Sequence, residues 1–215
     1  MLRALVAFVI ICGSLISRAS EPHTTVRWAE GNPGCTFSAD DDGKYRYGMW
    51  DDDLGVVIAV DADEVRKTKL RAEPLFALFV TLRYRGNESA LINPADSTLE
   101  FLTHYHTVQR AINPDEFAHK LQGETAALAA KGQADRSRSL TETAQFLQSR
   151  GLRAVRLDRQ TPETTGWIFF SGKSKWIGDW KAQEQFVLRI PVGDRTLEFP
   201  FALPPSRGDL LLLRR

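Results

Sequence analysis

Along much of this chain apolar and polar positions alternate with a period of two, the spacing of a half-buried β-strand. In "PLFALFVTLRYRG", Phe76, Leu78, Val80, Leu82 and Tyr84 share one face, while Leu75, Ala77, Phe79, Thr81 and Arg83 share the other. The first half is apolar on both faces, which predicts a central strand. "RTLEFPFAL" sets Leu197, Phe199, Phe201 and Leu203 on one face and Pro200 opposite them. Proline cannot donate to a strand ladder, so an edge strand or a bulge is expected. "GVVIAVDADEV", "STLEFLTHYH", "GWIFFS" and "EQFVLRIPV" are further strands, with "KYRYGMW" and "TVRWAE" as weaker ones. Turn dipeptides such as Gly86-Asn87, Asn93-Pro94 and Gly193-Asp194 separate them.

The period changes between residues 113 and 151, where a helical block is predicted. Asn113 is suited to an N-cap, Pro114 to the first helical position, and Glu116 to the return position of a capping box. Gly123 is expected to close this helix. Ser139-Leu140-Thr141-Glu142 reads as a second capping box, with Leu140, Ala144 and Leu147 on one buried face and Gly151 as the stop. Six to eight short strands around such a block predict a mainly β protein. The expected fold is an immunoglobulin-like two-sheet β-sandwich over 54–205, with the helical insertion at 113–151. An acidic segment with weak strands, 20–53, precedes it, and a tail, 206–215, follows.

The order of these elements resembles a known family. "FALFVTLRYRGNESALINPADSTLEFL", a helical block, "TPETTGWIFFS" and "FVLRIPVGDRTLEFPFAL" are similar in layout to the telokin-like, immunoglobulin-like sandwich of DUF4352-type exported bacterial proteins. The resemblance covers about residues 54–203. The chain departs from that pattern in its long helical insertion and in Arg85-Gly86-Asn87, which only approximates the family's asparagine turn. The resemblance implies an extracytoplasmic accessory or binding role and brings no catalytic residues.

The N-terminus supports export independently. A short basic start, "MLR", leads into the apolar run "ALVAFVIICGSLI" and then Ser17-Arg18-Ala19, the small-residue pattern of a cleavable signal peptide. The run is shorter than the roughly 20 residues of a membrane-spanning helix. Residues 1–19 therefore read as a signal peptide cleaved after Ala19, and contact with a membrane is expected only through this segment if it stays uncleaved. Removing Arg3 and Arg18 from the 28 basic residues leaves 26 against 27 acidic ones, a nearly neutral secreted or periplasmic protein. One cysteine, Cys35, then remains, so no internal disulfide is expected, and a buried inert thiol is the preferred reading. Basic residues are scattered without interleaved aromatics, which argues against nucleic acid as a partner.

Candidate chemistry is sparse. On a strand, His104 and His106 would share a face, and His119 from the following helix could supply a third ligand for zinc or copper. No second histidine pair supports the set, so ordinary structural histidines are preferred. Two aspartate triplets, Asp40–Asp42 and Asp51–Asp53, lie in an acidic stretch, but Ser38 and Met49 stand where an EF-hand needs its first and last ligands. Gly172-Lys173-Ser174 follows a buried strand and not a phosphate loop. Trp176 and Trp180, flanked by Lys173 and Lys175, occupy a Gly-containing link suited to stacking on sugars or packing on a partner.

No nucleophile elbow or metalloprotease motif occurs, so an enzyme is not expected. The expectation is a non-catalytic binding or interaction protein working through the tryptophan loop and the helical insertion. Its partner would be another extracytoplasmic protein or a cell-envelope component. A metal-binding protein or metal-assisted enzyme at the three histidines is one alternative. A carbohydrate-binding module is another.

Overall fold

In the computed structural model, which describes residues 24–39, 44–61, 73–173 and 183–203, the alternating segments form two sheets packed face to face. The first has five antiparallel strands: β2 (Cys35–Ala39), β3 (Lys44–Asp51), β4 (Leu54–Asp61), β5 (Leu75–Tyr84) and β10 (Glu163–Ser171), ordered β10-β5-β4-β3-β2. In the second, β11 (Glu184–Val192) and β12 (Arg195–Leu203) form a long hairpin. The short strand β1 (Thr24–Arg27) lies parallel to β12. Along the other flank of β11 run β6 (Ala90–Ile92) and β7 (Thr98–Phe101), extended outward by β9 (Val155–Leu157) and β8 (Thr107–Arg110). This is the expected β-sandwich.

The inner faces are the ones the alternation marks. Phe76, Leu78 and Val80 of β5 meet Phe186, Phe199 and Phe201 of the opposite sheet, all at or near zero exposure. Phe186 stacks on Phe201 at 5.0 Å between ring centroids. Trp28 closes the side of the sandwich after β1. Its backbone N–H donates to Glu198 O in one sheet, and its indole N–H reaches Gly48 O at 2.9 Å and Thr36 O at 3.1 Å in the other.

Two helices, α1 (Pro114–Ala130) and α2 (Ala134–Arg150), pair as a hairpin on the outer face of the five-stranded sheet. Leu75, Ala77 and Phe169 point outward there and are buried under Ala118, Leu121, Leu140, Ala144 and Leu147. That cover explains why the start of β5 is apolar on both faces. Backbone bonds from Ile112 to Phe169 O and from Leu152 to Trp167 O attach both ends of the insertion to β10. No helix among the described residues is long and apolar enough to cross a membrane.

Three local expectations change, at Gly123, Ser139 and the end of β7. Asn113 caps α1 as expected, its Oδ1 accepting from the N–H groups of Asp115 and Glu116. Gly123 does not end α1, which continues to a Schellman closure at Gly132 (φ +73), with Gly132 N–H bonded to Ala129 O and Gln133 N–H to Leu128 O. Ser139 lies inside α2 and caps nothing, although Leu140, Ala144 and Leu147 are buried and Gly151 is the C-cap. "STLEFLTHYH" is a strand only to Phe101. There the apolar alternation of Leu99 and Phe101 stops, and the chain turns back into β8. Pro200 is tolerated for a register reason. Glu198 O faces β1, so by the two-residue alternation the nitrogen of Pro200 faces that side too, just past the end of β1.

Candidate functional site

The helical hairpin leaves half of the outer sheet face uncovered, and residue register makes a trough of it. Thr36 on β2 pairs with Gly48 on β3, Gly48 with Val57 on β4, Val57 with Thr81 on β5, and Thr81 with Thr165 on β10. Paired residues on one face stand side by side, so these five small residues form a row across the strands. At a strand spacing of about 4.8 Å the row is about 19 Å long. One flanking row holds Trp50, Gly55, Arg83 and Glu163; the other holds Ser38, Arg46, Ala59, Phe79 and Trp167. Each lies two residues along the strands, about 7 Å away. The bulky flanks are banks and the small row is a floor, on which Val57 is 38% exposed. A hollow of 210 Å³ beside Trp50, lined by Thr36, Gly48, Val57 and Thr81, marks the depression; a second, of 290 Å³, lies behind the other bank, between Phe79 and Trp167 and the pair Lys44 and Asp61.

Both banks are fixed in place. Trp50 lies on its cross-strand partner Gly55, where a Cβ would come within 2.0 Å of the ring. Its indole N–H donates to Asp52 O at 3.0 Å, and the Arg85 guanidinium sits 4.5 Å from the ring centroid. Across the floor, Phe79 and Trp167 meet edge-on at 5.4 Å, and Phe146 of α2 supports Trp167 at 6.2 Å. Arg83 pairs with Glu163 at 2.9 Å, with both side chains largely exposed. Beyond the Trp50 bank, at the β3–β4 turn, Arg195 of β12 grips Asp51 at 3.2 Å and Asp53 at 2.7 Å. Burial raises the Asp53 carboxyl, but hydrogen bonds from Arg195 and Tyr84 outweigh this and hold it below the usual carboxylate range.

The residues singled out from sequence lie elsewhere. His104 and His106 stand on the β7–β8 turn, where Thr107 N–H bonds to His104 O and both Tyr105 and His106 have positive φ. The two imidazoles engage different carboxylates. His104 Nδ1 is 2.9 Å from Glu184, which also accepts from the Thr103 hydroxyl, and His106 Nδ1 is 2.7 Å from Glu100. Arg189 bridges Glu100 to Glu198. Burial raises the Glu100 carboxyl, but hydrogen bonds from His106 and Arg189 bring it below its ordinary value. His119 lies on the exposed side of α1. Among the described residues no group of three or more His, Cys, Asp or Glu side chains is placed to hold a metal ion.

Cys35 is half-buried against the core. Lys173 pairs with Glu73 at 2.7 Å. Trp176, Trp180 and Lys175, like Asp40–Asp42, the N-terminal segment and the C-terminal tail, lie outside the described residues.

Sequence reading missed the trough. Its signals were present: Gly48 and Gly55 inside strands, where glycine often marks close approach of another group, and Arg46, Gly48 and Trp50 alternating with the half-buried Tyr45 and the buried Tyr47 and Met49. No family model, no curated protein and no solved structure matches this chain.

Proposed function

We propose that this is a non-catalytic binding protein that works outside the cytoplasm and seats its partner in the trough. The observation that carries the reading is the floor itself. A sheet face left open beside a helical cover has small residues at five successive register positions, between two braced aromatic and cationic banks. Rigid elements that hold a concave surface with few, fixed polar groups suit recognition. Export is argued from residues 1–19, and the resemblance to DUF4352-type sandwich proteins is part of the same proposal. The helical insertion contributes by bracing one bank.

Cosedimentation of the purified protein with isolated cell envelopes tests this reading. Wild type is expected to be retained, and Val57→Glu to be lost with an unchanged melting temperature, because Val57 is exposed on the floor. Equal retention of both would remove the trough from the account, and no retention of either would overturn the proposal.

A further inference from the structure

Resting on that reading, we infer that the trough takes an extended acidic glycan. Shape is the first argument. The depression is a channel crossing five strands and open along its length, so it fits a linear polymer better than a compact metabolite.

The chemistry of the lining is the second. Gly48, Val57 and Thr81 lie on inner strands, whose backbone N–H and C=O groups are committed to neighbours on both sides, while Thr36 and Thr165 lie on the two edge strands. An extended peptide docking by strand addition runs along an edge, whereas the floor runs across all five strands and offers no ladder to a chain lying in it. What it does offer is hydroxyls, from Thr36 at one end and Thr81 and Thr165 at the other, with the small apolar surfaces of Gly48 and Val57 between them. None of the three hydroxyls has a hydrogen-bond partner among the described residues. Hydroxyls beside C–H surface are also what a sugar chain presents, and the edge-on Phe79–Trp167 pair adds an aromatic bank for its apolar faces. A lipid chain would leave the threonines unmatched.

Charge is the third argument. On the Trp50 bank the described residues place the guanidinium groups of Arg83 and Arg85 beside the Glu163 carboxylate, while Asp51 and Asp53 beyond them are held by Arg195. A guanidinium fork matches a carboxylate in two parallel hydrogen bonds. The Arg83–Glu163 pair is exposed at both ends, 59% and 45%, and exposed pairs of this kind contribute little. A uronate carboxylate can therefore take the place of Glu163 at Arg83 with little loss.

Isothermal titration calorimetry with oligogalacturonate as the acidic probe and a cello-oligosaccharide as the neutral one tests the inference. Oligogalacturonate is expected to bind about tenfold or more tightly than the neutral chain, and Arg83→Gln and Val57→Glu each to weaken it about tenfold or more. Their melting temperatures should match wild type. Equal binding of both glycans, lost in Val57→Glu, would overturn the acidic class and leave the binding role standing. If neither glycan binds while envelope retention still depends on Val57, the glycan inference falls alone. If neither glycan nor envelopes bind, both fall. Glycan binding unaffected by the two variants would overturn the site.

Discussion

Trp50 and Gly55 face each other across β3 and β4, and each explains the other. A glycine inside a strand gives up side-chain packing, but here the indole lies over the vacant position and fills it. The same ring is then covered by Arg85 on its other side, so Trp50 serves as a wall and not as a stacking platform. Next to it, Arg195 ties the β3–β4 turn to β12 through Asp51 and Asp53, linking the two sheets by charge. The Asp53 carboxyl is held low, so its contribution to stability is fully present above the ordinary aspartate value, about 3.9, and is lost as pH falls through the lowered one. Thermal melts between pH 2 and 6 should therefore show wild type losing stability on acidification more steeply than Asp53→Asn. Identical slopes would mean the pair does not contribute.

Among the elements, the two glycines of α1 separate what was legible from what was not. Residue type alone made Gly123 a stop, yet the helix passes through it, because Leu121 still packs against the sheet face and Leu128 against the same cluster. The true stop, Gly132, is set by backbone geometry that composition does not display. Gly123→Ala should stabilise the protein by about 0.5–1 kcal/mol, since nothing lies within 4 Å of its Cβ position. Gly132→Ala should destabilise it by about 1–2 kcal/mol through its left-handed φ. Chemical denaturation of the two variants checks both signs. The histidine turn teaches a similar lesson. The β-propensity of "STLEFLTHYH" hides a two-residue reversal at Tyr105 and His106, both at positive φ without a glycine to announce the turn, and Tyr105 is left 99% exposed.

For the whole molecule, two-residue periodicity was enough to find most strands and their inner faces, because a buried face leaves an unmistakable record in apolar side chains. The insertion could be bounded for the same reason, and the apolar double face of β5 already implied a cover. The trough left no such record. It arises from small residues on five strands that only register brings into line, and register cannot be read from any one strand. Its banks depend on one helix packing behind Trp167 and one arginine folding over Trp50. The most direct test of the central claim is a chemical-shift map of the protein titrated with oligogalacturonate. The account expects the largest changes at Thr36, Gly48, Val57, Thr81 and Arg83, with the histidine turn and the outer faces of α1 and α2 unmoved. Changes centred elsewhere, with the floor residues unmoved at saturation, would contradict it.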